Sequence, residues 1–398
     1  ETPAIIRVSD LSGRLMRLTR RFSTRSLSPL ATFLLKVVAL AVVYHLAARL
    51  GLRMAYVQIN TSPVWPPTGI ALAALLIFGS ELWPGVTLGV LLGSLLTGAP
   101  WDLAVGMAIG NTLEALAGVY LLRRFIRFHN AIDRIQDVVG LAAVSLLSTA
   151  ISASIGTATL ILTGLASLDG LGGIWITWWI GDLLGALVVA PAIIVWATPD
   201  PLEPRPGRSV EGGALLALLA FVTWYVFGDR PSTGIYHQAL IYLVFPFIIW
   251  AALRLGQRGS TTAVVLVSGI AIWGTVQNIG PFSLQSKNDN LVLLQTFTGV
   301  VSLTALILAA ATIERTRAAR ALRQRADELS TLHDASKTFL GYPHLPEIYA
   351  AICQQAVTRL GLDAAGLEVV GQPAWPSKAG NCRSSNSRSG GSASAAAM

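Results

Sequence analysis

Long apolar runs separated by short polar gaps make up most of the chain, at about 30–51, 65–79, 82–98, 101–122, 137–164, 173–197, 213–228, 238–253, 260–277 and 291–313. A helix crosses the hydrocarbon layer with about 20 apolar residues at 1.5 Å each, and most of these runs meet or approach that length. The pattern predicts an all-α integral membrane protein, a bundle of about ten transmembrane helices that continues into a cytoplasmic signalling helix. The second and third runs, WPPTGIALAALLIFG and WPGVTLGVLLG, are short and nearly abut, so eight spans plus a re-entrant hairpin is the alternative. Pro191 and Pro246 fall inside runs and predict kinks. Ser148, Ser152 and Gly156 recur every four residues, a small-residue seam for close helix approach.

After residue 313 the periodicity changes. ERTRAARALRQRADELSTLHDASKTF lacks Gly and Pro, and Leu322, Leu329, Leu332 and Phe339 take heptad a and d spacings. A signalling helix over 314–340 that pairs in a homodimer follows, with a single solvated helix as the alternative. Leu345, Ile348, Ile352, Ala356 and Leu360 then mark one amphipathic face, and 365–370 has strand character. From Gly371 the chain is rich in Ser, Gly, Arg and Ala with no apolar period, as in a disordered tail or an out-of-frame ending. Residues 1–28 form a basic tail before the membrane part at 29–313. The chain opens on Glu1 rather than Met, so a natural start upstream is expected.

Composition sharpens this reading. Charged residues are 13% of the chain and hydrophobic ones 53%, whereas soluble domains carry about 25% charged residues. The net charge of +8 does not indicate nucleic acid, because the arginines sit in alternate gaps between runs. Arg123, Arg124, Arg127 and Arg134, then Arg205 and Arg208, then Arg254 and Arg258, then Arg315 to Arg325 fall on the side of the basic tail. The positive-inside rule makes that side cytoplasmic, with both termini there and the protein in the bacterial inner membrane. The opposite loops run to about 52–64 and 278–290, too short for a ligand-binding domain. A stimulus therefore reaches the membrane part itself, as an unknown small ligand or a membrane protein partner. Cys353 and Cys382 have no metal or redox spacing, and no metal, cofactor or catalytic set is expected.

Two acids stand out because a charge at membrane depth costs about 2.5–3.5 kcal/mol on insertion scales. Glu114 lies in GNTLEALAGVYLLRR, one turn after Asn111, and Asp182 lies in WITWWIGDLLGALVVAP. Counted from the outer helix ends they are about 20 Å and about 13 Å deep, so one polar cavity could hold both. Asn111 is placed to hydrogen-bond Glu114, and helical spacing sets Trp175, Trp178, Trp179, Asp182, Gly185 and Ala186 on one side. Trp178 and Trp179 are candidates for a cage around a cationic or aromatic ligand, or for an interfacial aromatic belt. Lys36 and His45 are possible charge partners, Lys36 also by snorkelling and His45 also as a core histidine. A structural polar clamp between helices is the alternative to a sensing or proton site.

Residues 65–191 resemble the bacterial membrane-associated sensor domain of the first MASE class. The resemblance is carried by WPPTGIALAALLIFG, WPGVTLGVLLG, GNTLEALAGVYLLRR and WITWWIGDLLGALVVAP in order, and it extends over about 30–315. It implies an N-terminal sensor joined to a cytoplasmic histidine kinase, diguanylate cyclase or phosphodiesterase, and it supplies no site residues. Residues 328–370 resemble the start of a GAF domain through LSTLHDASKTFL and the helix after it, but too little follows to bury a core. The favoured function is a membrane sensory input module, of the two-component or cyclic-di-GMP kind, without enzymatic activity in this chain. The alternatives are a transporter or channel using the intramembrane carboxylates, and a nonfunctional fragment of a sensor kinase.

Overall fold

A computed structural model describes residues 28–54, 62–168, 171–199, 207–228, 239–283 and 286–340, and every element among them is helical. The elements are α1 (Pro29–Arg53), α2 (Pro66–Phe78), α3 (Trp83–Leu96), α4 (Trp101–Leu121), α5 (Ile135–Leu162), α6 (Leu171–Ala197), α7 (Arg208–Phe227), α8 (Phe245–Val276) and α9 (Lys287–Leu340). The basic tail, the GAF-like stretch from 341, both cysteines and the expected disordered end lie outside the described residues.

Local chemistry sets the helix starts. The Ser28 hydroxyl accepts from the Ala31 amide at 3.2 Å, with Pro29 following in the first turn. Pro66 and Pro67 open α2 and Pro84 opens α3, where the missing N–H costs nothing. Faces then sort as lipid immersion requires. On α1, Leu34, Leu35, Val38, Val42 and Leu46 point away from the protein, while Val37, Leu40, Tyr44, His45 and Ala48 are buried in it.

Seven helices among the described residues are long and apolar enough to cross a membrane. The expected ten are not ten separate long helices, and the differences have physical causes. With 13 and 14 residues, α2 and α3 are each about 20 Å long, short of the hydrocarbon thickness. Gly79 (φ 109°) and a 3₁₀ turn at Ser80–Leu82 join them.

A further pair of runs is fused into one element. α8 doubles back at Gly256, whose φ of 66° and ψ of −156° belong to a region that only glycine enters readily. Phe245 and Phe227 both pack on Phe297, Arg254 pairs with Glu211 at the start of α7, and Trp273 stacks on Trp224 near its end. Pro246 sits in the first turn of α8, directly after a 3₁₀ stretch at Leu240–Val244.

α6 is irregular where the sequence places its proline. Residues Gly185–Val189 form a π-helical turn and Pro191 begins the α-helix after it. Without an N–H, Pro191 leaves the Leu187 carbonyl short of its helical donor, and the Ser302 hydroxyl of α9 donates to that oxygen at 2.7 Å. α9 is tied elsewhere too: Gln295 donates to the Pro63 carbonyl at 3.3 Å, and Gln257 donates to the Leu306 carbonyl at 3.2 Å. The Glu314 carboxylate accepts from the Ile135 amide that opens α5, at 3.2 Å.

By contacts the chain divides into two units, Glu1–Arg315 and Thr316–Met398. In the first, one hydrophobic cluster joins α1–α6 with part of α9, and a second joins α6–α9. In the second unit, the described part of α9 exposes Leu322, Leu329 and Leu332.

Candidate functional site

The site lies among α1–α6. Glu114 is 3% exposed and Asp182 is 1% exposed, so neither faces lipid. The two carboxyls are near enough to interact, and Thr68 and Ser152 lie against both. Thr68 donates its hydroxyl to Asp182 Oδ1 at 3.1 Å. Among the described residues, Glu114 Oε1, Asp182 Oδ2 and Ser152 Oγ are buried without a hydrogen-bond partner. Unpaired polar atoms in a dry interior cost about 1–3 kcal/mol each, so this cluster is held at the expense of stability.

Two cavities meet here. The larger, of about 130 Å³, is walled by Tyr44, Trp65, Asn111, Trp178 and Asp182, with Arg49 and Thr97 at its rim. The smaller, of about 10 Å³, is lined by Thr68, Asn111, Glu114 and Ser148, with Tyr44 again. Tyr44 and Asn111 belong to both walls. The Tyr44 hydroxyl donates to Asn111 Oδ1 at 2.9 Å, and Asn111 Nδ2 donates to the Met107 carbonyl at 2.9 Å. Asp182 thus faces the larger space and Glu114 the smaller one, with a hydrogen-bonded pair in the wall between them. The smaller chamber has room for about one water molecule.

Small residues make this crowding possible. Tyr44 rests against Gly89 of α3, a Cβ at Gly156 of the α5 seam would overlap the Trp178 ring, and a Cβ at Gly185 would overlap the Trp65 carbonyl. The Trp65 amide donates to the Gly181 carbonyl at 2.9 Å, pinning the start of α2 to α6.

Several expected residues are not where spacing put them. Asn111 does not bond Glu114: its amide nitrogen donates to the Met107 carbonyl one turn back, and its oxygen accepts from Tyr44. Trp178 joins the cavity wall, but Trp179 does not: its indole donates to the Leu146 carbonyl at 2.9 Å and its ring stacks on Trp175. Trp179 is about 100° around the helix from Trp178, on the side that meets α5. Lys36 is exposed, with its ammonium over the Phe78 ring at 5.5 Å, and it does not pair with the buried Glu114. His45 is buried beside Gly93 and lines neither cavity. Sequence reasoning missed Tyr44, Thr68 and Trp65 as wall residues. Tyr44 carries a signal in retrospect, being buried one helical turn from Leu40 and Ala48 on an otherwise aliphatic face.

At the arginine-rich end a second polar cluster locks the α4–α5 connection. Arg134 donates to both Asp137 oxygens, at 2.9 and 2.7 Å, and the His129 amide donates to the same carboxylate at 3.1 Å. Hydrogen bonding to Asp137 holds the Arg134 guanidinium above its ordinary basicity. Among the described residues no group of three or more His, Cys, Asp or Glu is placed to hold a metal ion.

Comparison with known proteins gives one distant relative. The chain is 25% identical over 250 residues to "Probable diguanylate cyclase DgcE" of Escherichia coli (strain K12), a match covering 59% of this chain and 21% of that protein. The chain therefore spans about a fifth of the length of that relative. No solved structure matches it. The MASE1 family profile matches residues 36–317, most of the chain and all of the helices that build the two cavities, and the chain belongs to the MASE1 family.

Proposed function

We propose that the chain is the membrane-embedded input module of a bacterial signal-transduction protein. In this reading a stimulus acts at the two cavities, and α9 carries the change to a cytoplasmic output. One observation carries the reading: the helix that supplies Asp182 is bonded to α9 three residues into its π turn, at Leu187. α9 then runs on without a break from Lys287 to Leu340. A change in the wall around Asp182 that alters the π turn would act directly on Ser302.

The similarity to a diguanylate cyclase supports a parent protein with a cyclic-di-GMP output, while a histidine kinase output remains the expectation from resemblance alone. The exposed Leu322, Leu329 and Leu332 support pairing of two copies through residues 314–340. The arginines at one end of the bundle support an inner-membrane protein with both termini cytoplasmic.

A stimulus shifts a two-state protein only through different affinities for the two states, so changes to the cavity wall should alter basal output too. The test joins residues 1–340 to a diguanylate cyclase reporter and compares wild type with Glu114→Gln and Asp182→Asn at equal membrane abundance. Each substitution should change output by about fivefold or more, the lower end of typical coupling energies. Output indifferent to both would remove the carboxyls from signalling.

A further inference from the structure

We infer that the larger cavity binds a small organic amine in its protonated form, with Asp182 as counter-ion and the aromatic rings as walls. This names the ligand class for the sensory reading and rests on it only for the claim that the ligand is a signal. Three observations define the class.

The first is charge. Asp182 Oδ2 is buried without a partner at the cavity, and a second carboxyl, Glu114, lies close behind it. The two basic side chains expected to serve these acids do not: Lys36 faces outward over Phe78 and His45 lines neither cavity. An ionised carboxyl at membrane depth needs a neutralising partner. An anion would meet the carboxyl oxygen with no donor to offer it, and a cation supplies the partner that is missing.

The second observation is the character of the wall. Tyr44, Trp65 and Trp178 surround the space in front of Asp182. Aromatic faces attract cations most strongly when both are removed from water, and they also cover an apolar body. A hydrated inorganic ion would gain little from three aromatic rings. The third is size: about 130 Å³ admits several non-hydrogen atoms, whereas the chamber behind, at about 10 Å³, admits one. The cation therefore stops at Asp182, in front of the Tyr44–Asn111 bond. Arg49 at the rim is the one basic group among the described residues that line the cavity, so an amine that also carries a carboxylate has a place for each charge.

The experiment uses the full chain in lipid nanodiscs and four probes that share a phenylethyl body: phenethylamine, phenylalanine, 2-phenylethanol and 3-phenylpropionate. Binding is read by calorimetry and by quenching of tryptophan fluorescence. Phenethylamine or phenylalanine should bind saturably and at least about tenfold more tightly than the alcohol and the acid. Asp182→Asn should cost the amine about tenfold or more, and Trp178→Leu about threefold to tenfold.

Trp175→Phe, outside the cavity, should leave affinity unchanged. If Asp182→Asn does not fold, Trp178→Leu and the probe ranking still decide. A preference for phenylalanine that Arg49→Gln removes identifies the ligand as a zwitterion, and one for phenethylamine identifies a simple amine.

No saturable amine binding overturns the inference, as does equal binding of the alcohol or the acid, or affinity indifferent to both cavity substitutions. These results are separate from the reporter assay. An amine that binds but leaves the reporter unmoved breaks the sensory reading and keeps the pocket. Carboxyl variants that change the reporter in a protein that binds no amine break only the ligand class.

Discussion

The two halves of the membrane unit bury different things. Between α7, α8 and α9 the interior is the drier one: among the described residues it buries hydroxyls and amides but no carboxyl, and Phe227, Phe245, Phe282 and Phe297 are in ring contact around fully buried Val244, Ile248 and Leu219. Between α1 and α6 the interior holds two carboxyls, Asn111, Thr68 and Ser152, several with unpaired atoms, around two cavities. Lipid surrounds both halves, so no general need for solubility explains the difference. Such an interior gains packing, and its unpaired hydroxyl and amide atoms, at Gln257, Ser268 and Thr298, cost less than an unpaired carboxyl. The first half gives up part of that gain, and polar groups kept at such a cost in membranes are a mark of function. α6 and α9 contribute to both clusters: Leu184 and Val188 face the dry half while Ala186 and Leu187 face the polar one, and Val301 and Leu306 divide α9 in the same way. These two helices form the seam across which the halves communicate.

The largest effect should come from the dry half. Phe227 is fully buried and touches Phe282 and Phe297 at centroid distances of 5.5 Å. Phe227→Ala should cost about 3–5 kcal/mol, seen as a large fall in Tm of the detergent-solubilised protein, with amine affinity in the surviving folded fraction unchanged. If the same substitution abolished amine binding while Tm held, the division into a packing half and a binding half would be wrong.

A smaller effect should come from the polar half. A Cβ at Gly156 would overlap the far edge of the Trp178 ring, so Gly156→Ala must displace the indole that walls the cavity. The expected loss is about 1–3 kcal/mol, the range for overpacking, together with weaker amine binding and a shifted tryptophan emission. Ala in place of Gly156 with no spectral change would show that Trp178 has room to move and that the wall is soft.

How much of this division was legible beforehand follows from what kind of residue carries it. Each apolar run coincides with a helical segment because hydropathy acts over twenty residues and tolerates local error. Glu114 and Asp182 were conspicuous for the same reason, since an acid in such a run has few benign explanations. Tyr44 was not conspicuous: a tyrosine in an apolar stretch reads equally as core, and only the approach of α1 to α4 brings its hydroxyl to Asn111. Glu114 lacks the expected partner because the Asn111 amide nitrogen donates to the Met107 carbonyl of its own helix. The reversal at Gly256 falls in the gap that hydropathy leaves between the runs at 238–253 and 260–277, where Arg254 and Arg258 lie. Periodicity marked the cavity stripe on α6 but could not show that Trp179 turns toward α5, since neighbouring positions on a helix differ by only 100°.

The smallest expected effect on stability tests the seam itself. Ser302 is fully buried, and its hydroxyl meets the carbonyl that Pro191 leaves without a helical donor. Ser302→Ala removes one neutral hydrogen bond and should cost about 0.5–1.5 kcal/mol, a minor change in Tm. In the reporter fusion the same substitution should uncouple the amine from output while leaving amine affinity within about twofold. Pro191→Ala provides the complementary change: it restores an N–H beside the π turn, gives Leu187 a donor within its own helix, and competes with Ser302 for that oxygen. Both variants should therefore weaken coupling through the same carbonyl, and the double variant should be no worse than the more severe single one. Additive losses would mean that the two residues act separately, and that α6 moves α9 through packing at Gly299 and Val301 rather than through this bond.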